Sequence, residues 1–253
     1  MDFIAAEDTR VTRKLLQWLE IKKPLVSYHE HNRAESGEKI INRILDGENC
    51  ALVTDAGTPA ISDPGEELVK LCISSGIDII SIPGPCAAIA ALVLSGMSTG
   101  RFSFEGFLST TKKNRLKRLD ELKDEKRTMV FYEAPHKVLR TLNDMLAIFG
   151  DRSISISREL TKIHEETFRC KLSEAIARYA ETSPRGEFVI VVEGAANSII
   201  PEMDISLAIE AALAYIQEGH STKDAVKTAS KDTGIAKNIL YSSVLQLIGG
   251  SQD

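Results

Sequence analysis

Ala51-Leu-Val-Thr-Asp-Ala-Gly-Thr-Pro-Ala-Ile-Ser-Asp-Pro-Gly65 is a short apolar run that breaks at Asp55 into small and turn-forming residues. Residues 51–54 suit a buried parallel strand. The loop after them sets one carboxylate, Asp55, among residues small enough to bring backbone N–H groups close to a ligand. In an open α/β sheet, ligands bind beyond the carboxyl ends of the strands. The same stretch also reads as an ordinary strand–helix connection, with Asp63 as N-cap and Pro64 as first residue of the next helix. One loop does not decide between these; its neighbours do.

Upstream, residues 2–6 read as a strand running directly into Glu7-Asp-Thr-Arg10, and a helix follows with Leu15, Leu16 and Leu19 as its apolar stripe. Residues 25–28 form a second strand ending in His29-Glu-His-Asn32. An amphipathic helix over 34–46 then turns Ile40, Ile41, Ile44 and Leu45 to one face and stops at Gly47. Downstream, the pattern predicts a helix over 65–75, a strand over 77–82 and a helix over 87–95. This alternation calls for a parallel sheet covered on both faces. Pro83-Gly-Pro-Cys-Ala-Ala88 joins the last two and is a second loop of small residues. Alone it is a tight turn that needs Pro and Gly. Beside the Asp55 loop it makes one crevice.

The character changes at residues 101–108, where Phe102, Phe104 and Phe107 alternate, so the domains are drawn at 1–104 and 105–196. Residues 109–127 carry eight Lys or Arg against four Asp or Glu. They read as a solvated helix over 113–124 with Leu116, Leu119 and Leu122 inward, whose basic front can also meet phosphates. The second domain repeats the β-α theme, with strands at 128–132, 153–157 and 188–192 and helices up to 149 and over 172–182. Polar clusters close nearly every strand, among them Glu133-Ala-Pro-His-Lys137, Arg158-Glu-Leu-Thr-Lys162, His164-Glu-Glu-Thr167 and Arg185-Gly-Glu187. Residues 197–204 read as a linker. Three short helices at 206–217, 222–233 and 236–247 give the tail, 203–249, the spacing of a helix-turn-helix. It is either a packing appendage or an RNA contact.

With 253 residues, 43% apolar and 26% charged, the chain can build two cores of modest size. Its net charge of −5 gives no general attraction to nucleic acid, so any RNA contact must be a local patch. The longest apolar stretch, residues 86–94, is far too short to cross a bilayer, and no secretory segment opens the chain. Cys50, Cys72, Cys86 and Cys170 lie far apart, and three of them sit in apolar runs, as buried thiols of a reducing cytoplasm do.

Taken together and in order, the loops resemble a known family. Ala6-Glu-Asp-Thr-Arg10, His29-Glu-His-Asn32, Val53-Thr-Asp-Ala-Gly-Thr-Pro59 with Asp63-Pro-Gly65, and Pro83-Gly-Pro-Cys-Ala87 come first. Phe104-Glu-Gly-Phe-Leu108, Phe131-Tyr-Glu-Ala-Pro-His136, Arg158-Glu-Leu-Thr-Lys162 and Gly186-Glu-Phe-Val follow. The set is similar to the bacterial ribosomal RNA small subunit methyltransferase I family of the tetrapyrrole-methylase superfamily, over essentially the whole chain. The resemblance implies two α/β domains with a cleft between them, a small helical tail and a homodimer. It also implies S-adenosylmethionine in the cleft and transfer of its methyl group to the ribose 2′-oxygen of a cytidine in 16S rRNA.

Carried over residue by residue, the cofactor would touch Asp55, Gly57, Thr58, Pro59 and Ile61 on the first loop. Cys86 and Ala87 would join from the second, with Tyr132 and Glu133 across the cleft. Family members also carry, before the Asp2 strand, a further strand ending in Thr-Pro-Ile-Gly-Asn and a helix, so a displaced start or a lost segment is expected here.

A ribose hydroxyl is a poor nucleophile while protonated, so a positioned base or a cation beside the oxygen helps. Glu159 with Lys162 is the first choice, Glu7 beside Asp8 the second, and His29 the third. Each pair also has a plain structural role, as a cleft salt bridge or as acids at a helix N-terminus. His29 and His31 lack a third ligand at metal-site spacing, so no metal is expected. Arg10, Arg13, Lys14, Arg33, Lys112, Lys113 and Arg115 are the candidates for rRNA phosphates. Two other functions compete: a small-molecule methylase acting on a corrinoid or other tetrapyrrole, and a non-catalytic RNA-binding remnant.

Overall fold

The computed structural model describes residues 1–196 and 205–249, so the linker expected at 197–204 lies outside the described residues. The chain divides into two compact units, Met1–Gly194 and Ala195–Asp253.

The first unit begins with three parallel strands, β1 (Phe3–Ala6), β2 (Leu25–Ser27) and β3 (Cys50–Val53), in the order β2-β1-β3. Ala6 stands beside both Ser27 and Val53, so all three strands release their chains at one edge. Every residue of β1 is buried, as a central strand covered on both faces requires. Helices α1 (Thr9–Trp18), α2 (Arg33–Leu45) and α3 (Glu66–Ser74) surround it. The core joins Phe3, Ala5 and Tyr28 to Ile40 and Ile41 of α2 and Leu68 and Cys72 of α3. On α1 only Thr12 and Leu16 are buried; Leu15 and Leu19, read as part of the inward stripe, face solvent.

The strand expected over 77–82 does not form. A strand needs a neighbour to exchange main-chain hydrogen bonds with, and among the described residues none pairs with this segment or with the outer edge of β3. Ile80 and Ile82 are 84% and 79% exposed. A period-2 pattern identifies a segment that can be a strand; it cannot supply the partner.

The second sheet has five strands, β4 (Phe102–Phe107), β5 (Thr128–Glu133), β6 (Ser153–Arg158), β7 (Glu166–Lys171) and β8 (Phe188–Val192), ordered β4-β5-β8-β6-β7. Only β4 and β5 run parallel; the other pairings are antiparallel. The sheet is therefore mixed where a simple β-α repeat was expected. β7 was read as a polar cluster because it is a charged edge strand, packing only Phe168 and Cys170 inward. Strand alternation sends Phe131, Ile156 and Ile190 to one face and Val130, Val189 and Val191 to the other. The first face is covered by α5 (Lys112–Leu122), α6 (Val138–Phe149) and α7 (Leu172–Glu181), with α6 continuing a short 3₁₀ turn at Pro135–Lys137. The second face takes α4 (Ala87–Ser95) through Ala88, Ala91 and Leu92.

The cysteines are less buried than their apolar runs imply: Cys72 is buried, while Cys50, Cys86 and Cys170 are intermediate. All four are free. The tail unit contains α8 (Ile205–Gln217), α9 (Thr222–Thr233) and α10 (Lys237–Gly249), close to the three helices expected. Ser221 caps α9, accepting from the Asp224 N–H, and Gly234 ends it in the left-handed conformation. Ala208, Ala212, Val226, Ala229, Leu240 and Val244 form its core.

One residue read as a phosphate contact is instead structural. Arg115 is 2% exposed, pairs with Asp144 at 2.6 Å and donates to the carbonyls of Ser109 and Thr110. It sits on the inward face of α5, where it fastens the 109–110 turn to α6. Removing one member of a buried pair strands the other charge. Arg115→Ala should therefore lose about 3 kcal/mol in chemical denaturation. Lys113→Ala, on the exposed face, should stay within about 0.5 kcal/mol of the parent.

Candidate functional site

Glu7 and Asp55 follow the carboxyl ends of β1 and β3, and the Asp55 N–H donates to Glu7 Oε2 at 3.2 Å. The loop beyond Asp55 turns sharply. Gly57, Ala60, Ser62 and Gly65 all have positive φ, and a Cβ on Gly65 would stand 2.9 Å from the Leu52 side chain. That turn decides where α3 begins: its N-cap is Gly65, so Asp63 is not the cap expected from sequence. Thr58 Oγ1 donates to the Pro85 carbonyl at 3.0 Å, and a Cβ on Gly57 would lie 3.2 Å from the same oxygen. The Asp55 loop and the Pro83-Gly-Pro-Cys loop therefore touch, as the crevice predicted from sequence requires. Thr58 and Pro59 are half-buried; Asp55, Gly57 and Ile61 are exposed.

Cys86 is the N-cap of α4, Ala87 its first residue. The Ala88 N–H donates to the Tyr132 hydroxyl at 3.1 Å, which ties the second loop to β5. Phe104 and Phe107 meet the Tyr132 ring edge-on, with centroids 5.1 and 5.5 Å away. Burial, followed by the Cys86 thiol, pushes the Tyr132 hydroxyl up to about 12, so it stays neutral and able to donate. Glu133 differs from its neighbour. Its carboxylate is buried and accepts from the Ala134 N–H at 2.9 Å and the Thr141 hydroxyl at 2.6 Å.

Because β8 runs against β5 and β6, Phe188 stands beside both Glu133 and Arg158. The strand ends at this edge hold a charge network. Lys162 Nζ reaches Glu159 Oε1 at 3.0 Å and Glu187 Oε2 at 2.8 Å, and the Glu187 N–H donates to Glu159 Oε1. Lys162 and the Glu187 amide hold the Glu159 carboxyl below its usual range, while the two carboxylates raise Lys162. Arg158 pairs with Glu166, which also accepts from Arg178. Gly186 is required here: at φ +88 its missing Cβ would fall 2.4 Å from Glu159 Cγ.

Asp63 is the residue that sequence reasoning missed. It is half-buried, and burial, reinforced by Glu7, Asp55 and Glu187, raises its carboxyl to about 6. The acids come from both sheets, and no ion pair within 4.0 Å neutralises Asp63 or Asp55 among the described residues. A carboxylate crowded by three others is stabilised by an incoming cation. The Asp-Pro-Gly sequence disguised this by looking like a helix start.

Among the phosphate candidates, Arg10 is exposed but bound to its own N-cap residue, Asp8, at 2.6 Å. Arg33 bridges Glu30 and Glu67. Arg13, Lys14, Lys112 and Lys113 are exposed. Tyr28 is fully buried beside His29, whose N–H donates to Asn32 Oδ1 at 2.8 Å, so the His29-Glu-His-Asn32 segment is a folded turn.

Residues 1–176 match the family model described as Tetrapyrrole (Corrin/Porphyrin) Methylases. A protein from Halalkalibacterium halodurans named ribosomal RNA small subunit methyltransferase I is 46% identical over 244 residues, covering 95% of this chain and 84% of its own. A Bacillus subtilis protein of the same name is 46% identical over 247 residues, covering 96% and 85%. Among solved structures, the uroporphyrin-III C-methyltransferase of Thermus thermophilus, complexed with S-adenosyl homocysteine, superposes with a TM-score of 0.51 at 15% identity, covering 76% of this chain and 85% of that one. At that identity the likeness concerns the fold alone. With the family model matching more than half of its length and relatives this similar across nearly all of it, the chain belongs to the tetrapyrrole methylases and, within them, to the ribosomal RNA small subunit methyltransferase I family.

Proposed function

We propose that this chain methylates small-subunit ribosomal RNA, using S-adenosylmethionine and the ribose 2′-oxygen of a cytidine as acceptor, in the cytoplasm and as a homodimer. The observation that carries this is the contact between the two small-residue loops beside an acid-rich junction of the two sheets. The names of the relatives supply the substrate class. When bound, S-adenosylmethionine supplies a methyl group on a positively charged sulfur, and the surplus of carboxylates around Asp63 suits that charge.

In this proposal the cofactor lies between lobes 1–104 and 105–196. Asp55, Gly57, Thr58, Pro59 and Ile61 would hold it from one side and Cys86 and Ala87 from the next loop. Tyr132 and the main chain of Glu133 would close the third side. Tyr132 holds the amide end of α4 and presents a neutral hydroxyl. Glu7 stands at the junction, a carboxylate able to take the proton of an acceptor hydroxyl, with its Oε2 accepting from the Asp55 N–H. Glu159 and Lys162 act as a pair. With its pKa depressed, Glu159 is a poor base, so its part is to hold Lys162 where the cation can face the acceptor oxygen. Arg13, Lys14, Lys112 and Lys113 meet phosphates, with Arg10 and Arg33 available once their carboxylate partners yield.

Mass spectrometry of nucleosides from small-subunit rRNA incubated with the protein and labelled cofactor should find one 2′-O-methylcytidine. Label recovered on a base, or none at all, overturns the assignment. Asp55→Ala should weaken cofactor binding by about tenfold or more in calorimetry, as expected for a lost charge-assisted contact; unchanged affinity removes Asp55 from the site.

Asp63 makes cofactor binding pH-dependent. A bound cation favours its ionised form, so affinity is full above about pH 6 and falls as Asp63 protonates below it. From about pH 7.5 to about pH 5 the affinity for S-adenosylmethionine should drop by up to about tenfold, while that for uncharged-sulfur S-adenosylhomocysteine changes little. Asp63→Asn should abolish the difference. It should also raise stability at neutral pH by about 1 kcal/mol after allowing for solvent screening, because a folded pKa above the ordinary 3.8 costs stability progressively from about pH 4 to about pH 6.

A further inference from the structure

The loop between β6 and β7, residues 159–165, carries the most exposed large apolar side chain among the described residues, Ile163, at 97%. A lone aliphatic side chain in water needs no explanation by itself. What sets this one apart is the loop that holds it. Leu160 is turned inward and packs against the cluster that seats α4 on the mixed sheet. The Glu159 N–H donates to the Glu187 carbonyl, the Lys162 N–H to the Glu159 carbonyl, and the Glu165 N–H to the Lys162 carbonyl. The Thr161 N–H donates to Glu165 Oε2 at 2.7 Å. Glu159 and Thr161 hold φ of +52 and +66, conformations that cost a side-chain-bearing residue stability. The chain thus accepts strain in a fastened loop and leaves an isoleucine in water at its tip.

The tip stands beside the proposed chemistry. Lys162, the preceding residue, bridges Glu159 and Glu187, and Glu187 is one of the acids that raise Asp63. An acceptor nucleotide in folded RNA is held by stacking on its neighbours, and enzymes that act on such nucleotides draw them out. Apolar side chains, isoleucine among them, unstack nucleic acid by entering between base steps. A wedge has to be apolar, exposed and rigidly backed, and Ile163 is all three.

We infer that Ile163 is such a wedge: it enters the RNA between two stacked bases next to the acceptor nucleotide and frees that nucleotide from the stack. Its surroundings decide against a protein partner, a second copy of the chain included. Thr161, Lys162, His164 and Glu165 are polar and exposed, so Ile163 is a point and not the apolar centre that a protein interface buries. The inference deepens the proposed function and rests on it for the identity of the RNA.

The test is dimethyl sulfate probing of small-subunit rRNA bound to the full chain with S-adenosylhomocysteine, which has no methyl group to transfer. Dimethyl sulfate modifies base nitrogens that have left their stack and pairing. The parent should raise the reactivity of bases at the bound strand, and Ile163→Ala should bind the RNA without raising it. In turnover with S-adenosylmethionine, Ile163→Ala should lower kcat/KM for rRNA by about tenfold, and Ile163→Leu should restore most of it. Cofactor affinity in calorimetry should be the same for parent and both variants. Ile163 is almost wholly in water, so both should fold.

Reactivity raised by neither protein, or by Ile163→Ala as much as by the parent, overturns the inference. So does Ile163→Ala with the parent's kcat/KM, or with weakened cofactor binding, which marks a scaffold role. Loss of self-association in Ile163→Ala, read by sedimentation, also overturns it and marks a subunit contact. A parent that methylates rRNA without raising base reactivity loses the wedge and keeps the proposed function. One that unstacks the RNA through Ile163 but transfers no methyl group keeps the wedge and loses the function.

Discussion

The packing of one small-residue helix holds the first unit together. α4 is Ala-Ala-Ile-Ala-Ala-Leu-Val-Leu-Ser, and Ala88 and Ala91 let its backbone settle on Val130, Val189 and Val191 of the five-stranded sheet. A larger side chain at either position would lift the helix off the sheet, since packed interiors do not absorb added volume freely. Its N-terminal loop meanwhile accepts from Thr58 of the Asp55 loop. So α4 belongs by packing to one sheet and by its first turn to the other. The Tyr132 hydroxyl, accepting from Ala88, fixes how deep that turn sits. If this seat shifted, the two loops would separate and the acids of the junction would no longer face one another.

That junction is electrostatically unfinished in the chain alone. Glu7 and Asp55 come from the parallel sheet, Glu187 from the mixed one, and Asp63 lies within reach of all three. The nearby cation, Lys162, is divided between Glu159 and Glu187. Arg10, which is bound to Asp8, also feels Asp55 but makes no ion pair with it. Elsewhere the chain pairs its charges locally, as Lys39 does with Glu35 and Arg43 with Glu48. Local pairing at most places and a surplus of one sign here is the pattern expected where a charged partner is to be accommodated.

Sequence pattern revealed what depends on local periodicity and turn chemistry. The helix at 87–95, the parallel strands of the first sheet, and the meeting of the two special loops all followed from apolar spacing and from Gly and Pro at strand ends. Pattern failed where a residue's role is set by something distant in the chain. Residues 77–82 read as a strand but find no ladder partner, and β7 hid its alternation behind charged residues suited to an edge. Arg115 belonged to a basic run, yet the i+4 and i+7 spacing to Leu119 and Leu122 turns it inward toward Asp144. Asp63 carried the sequence of a cap, and only the left-handed turn at Gly65 moves it off the helix.

Backbone strain shows the same division between scaffold and site. Five non-glycine residues among those described have positive φ, and four of them are Ala60, Ser62, Glu159 and Thr161. Two lie on the Asp55 loop and two on the loop holding the Lys162 pair, so the strained positions flank the junction from both sheets. Each costs of order 1 kcal/mol and persists only where surrounding contacts overdetermine it. The contacts can be named: Gly65 set against Leu52 and Ala60 on one side, and on the other the Glu159 N–H donating to the Glu187 carbonyl, the Glu187 N–H donating to the Glu159 carboxylate, and Lys162 bridging both side chains. Relaxing either loop to ordinary φ would swing Asp63 away from the other junction acids, or Lys162 away from Glu159 and Glu187. The charge arrangement at the junction is thus maintained against the local preference of the chain, and the packing of α4 and the two sheets supplies the stability that makes it possible.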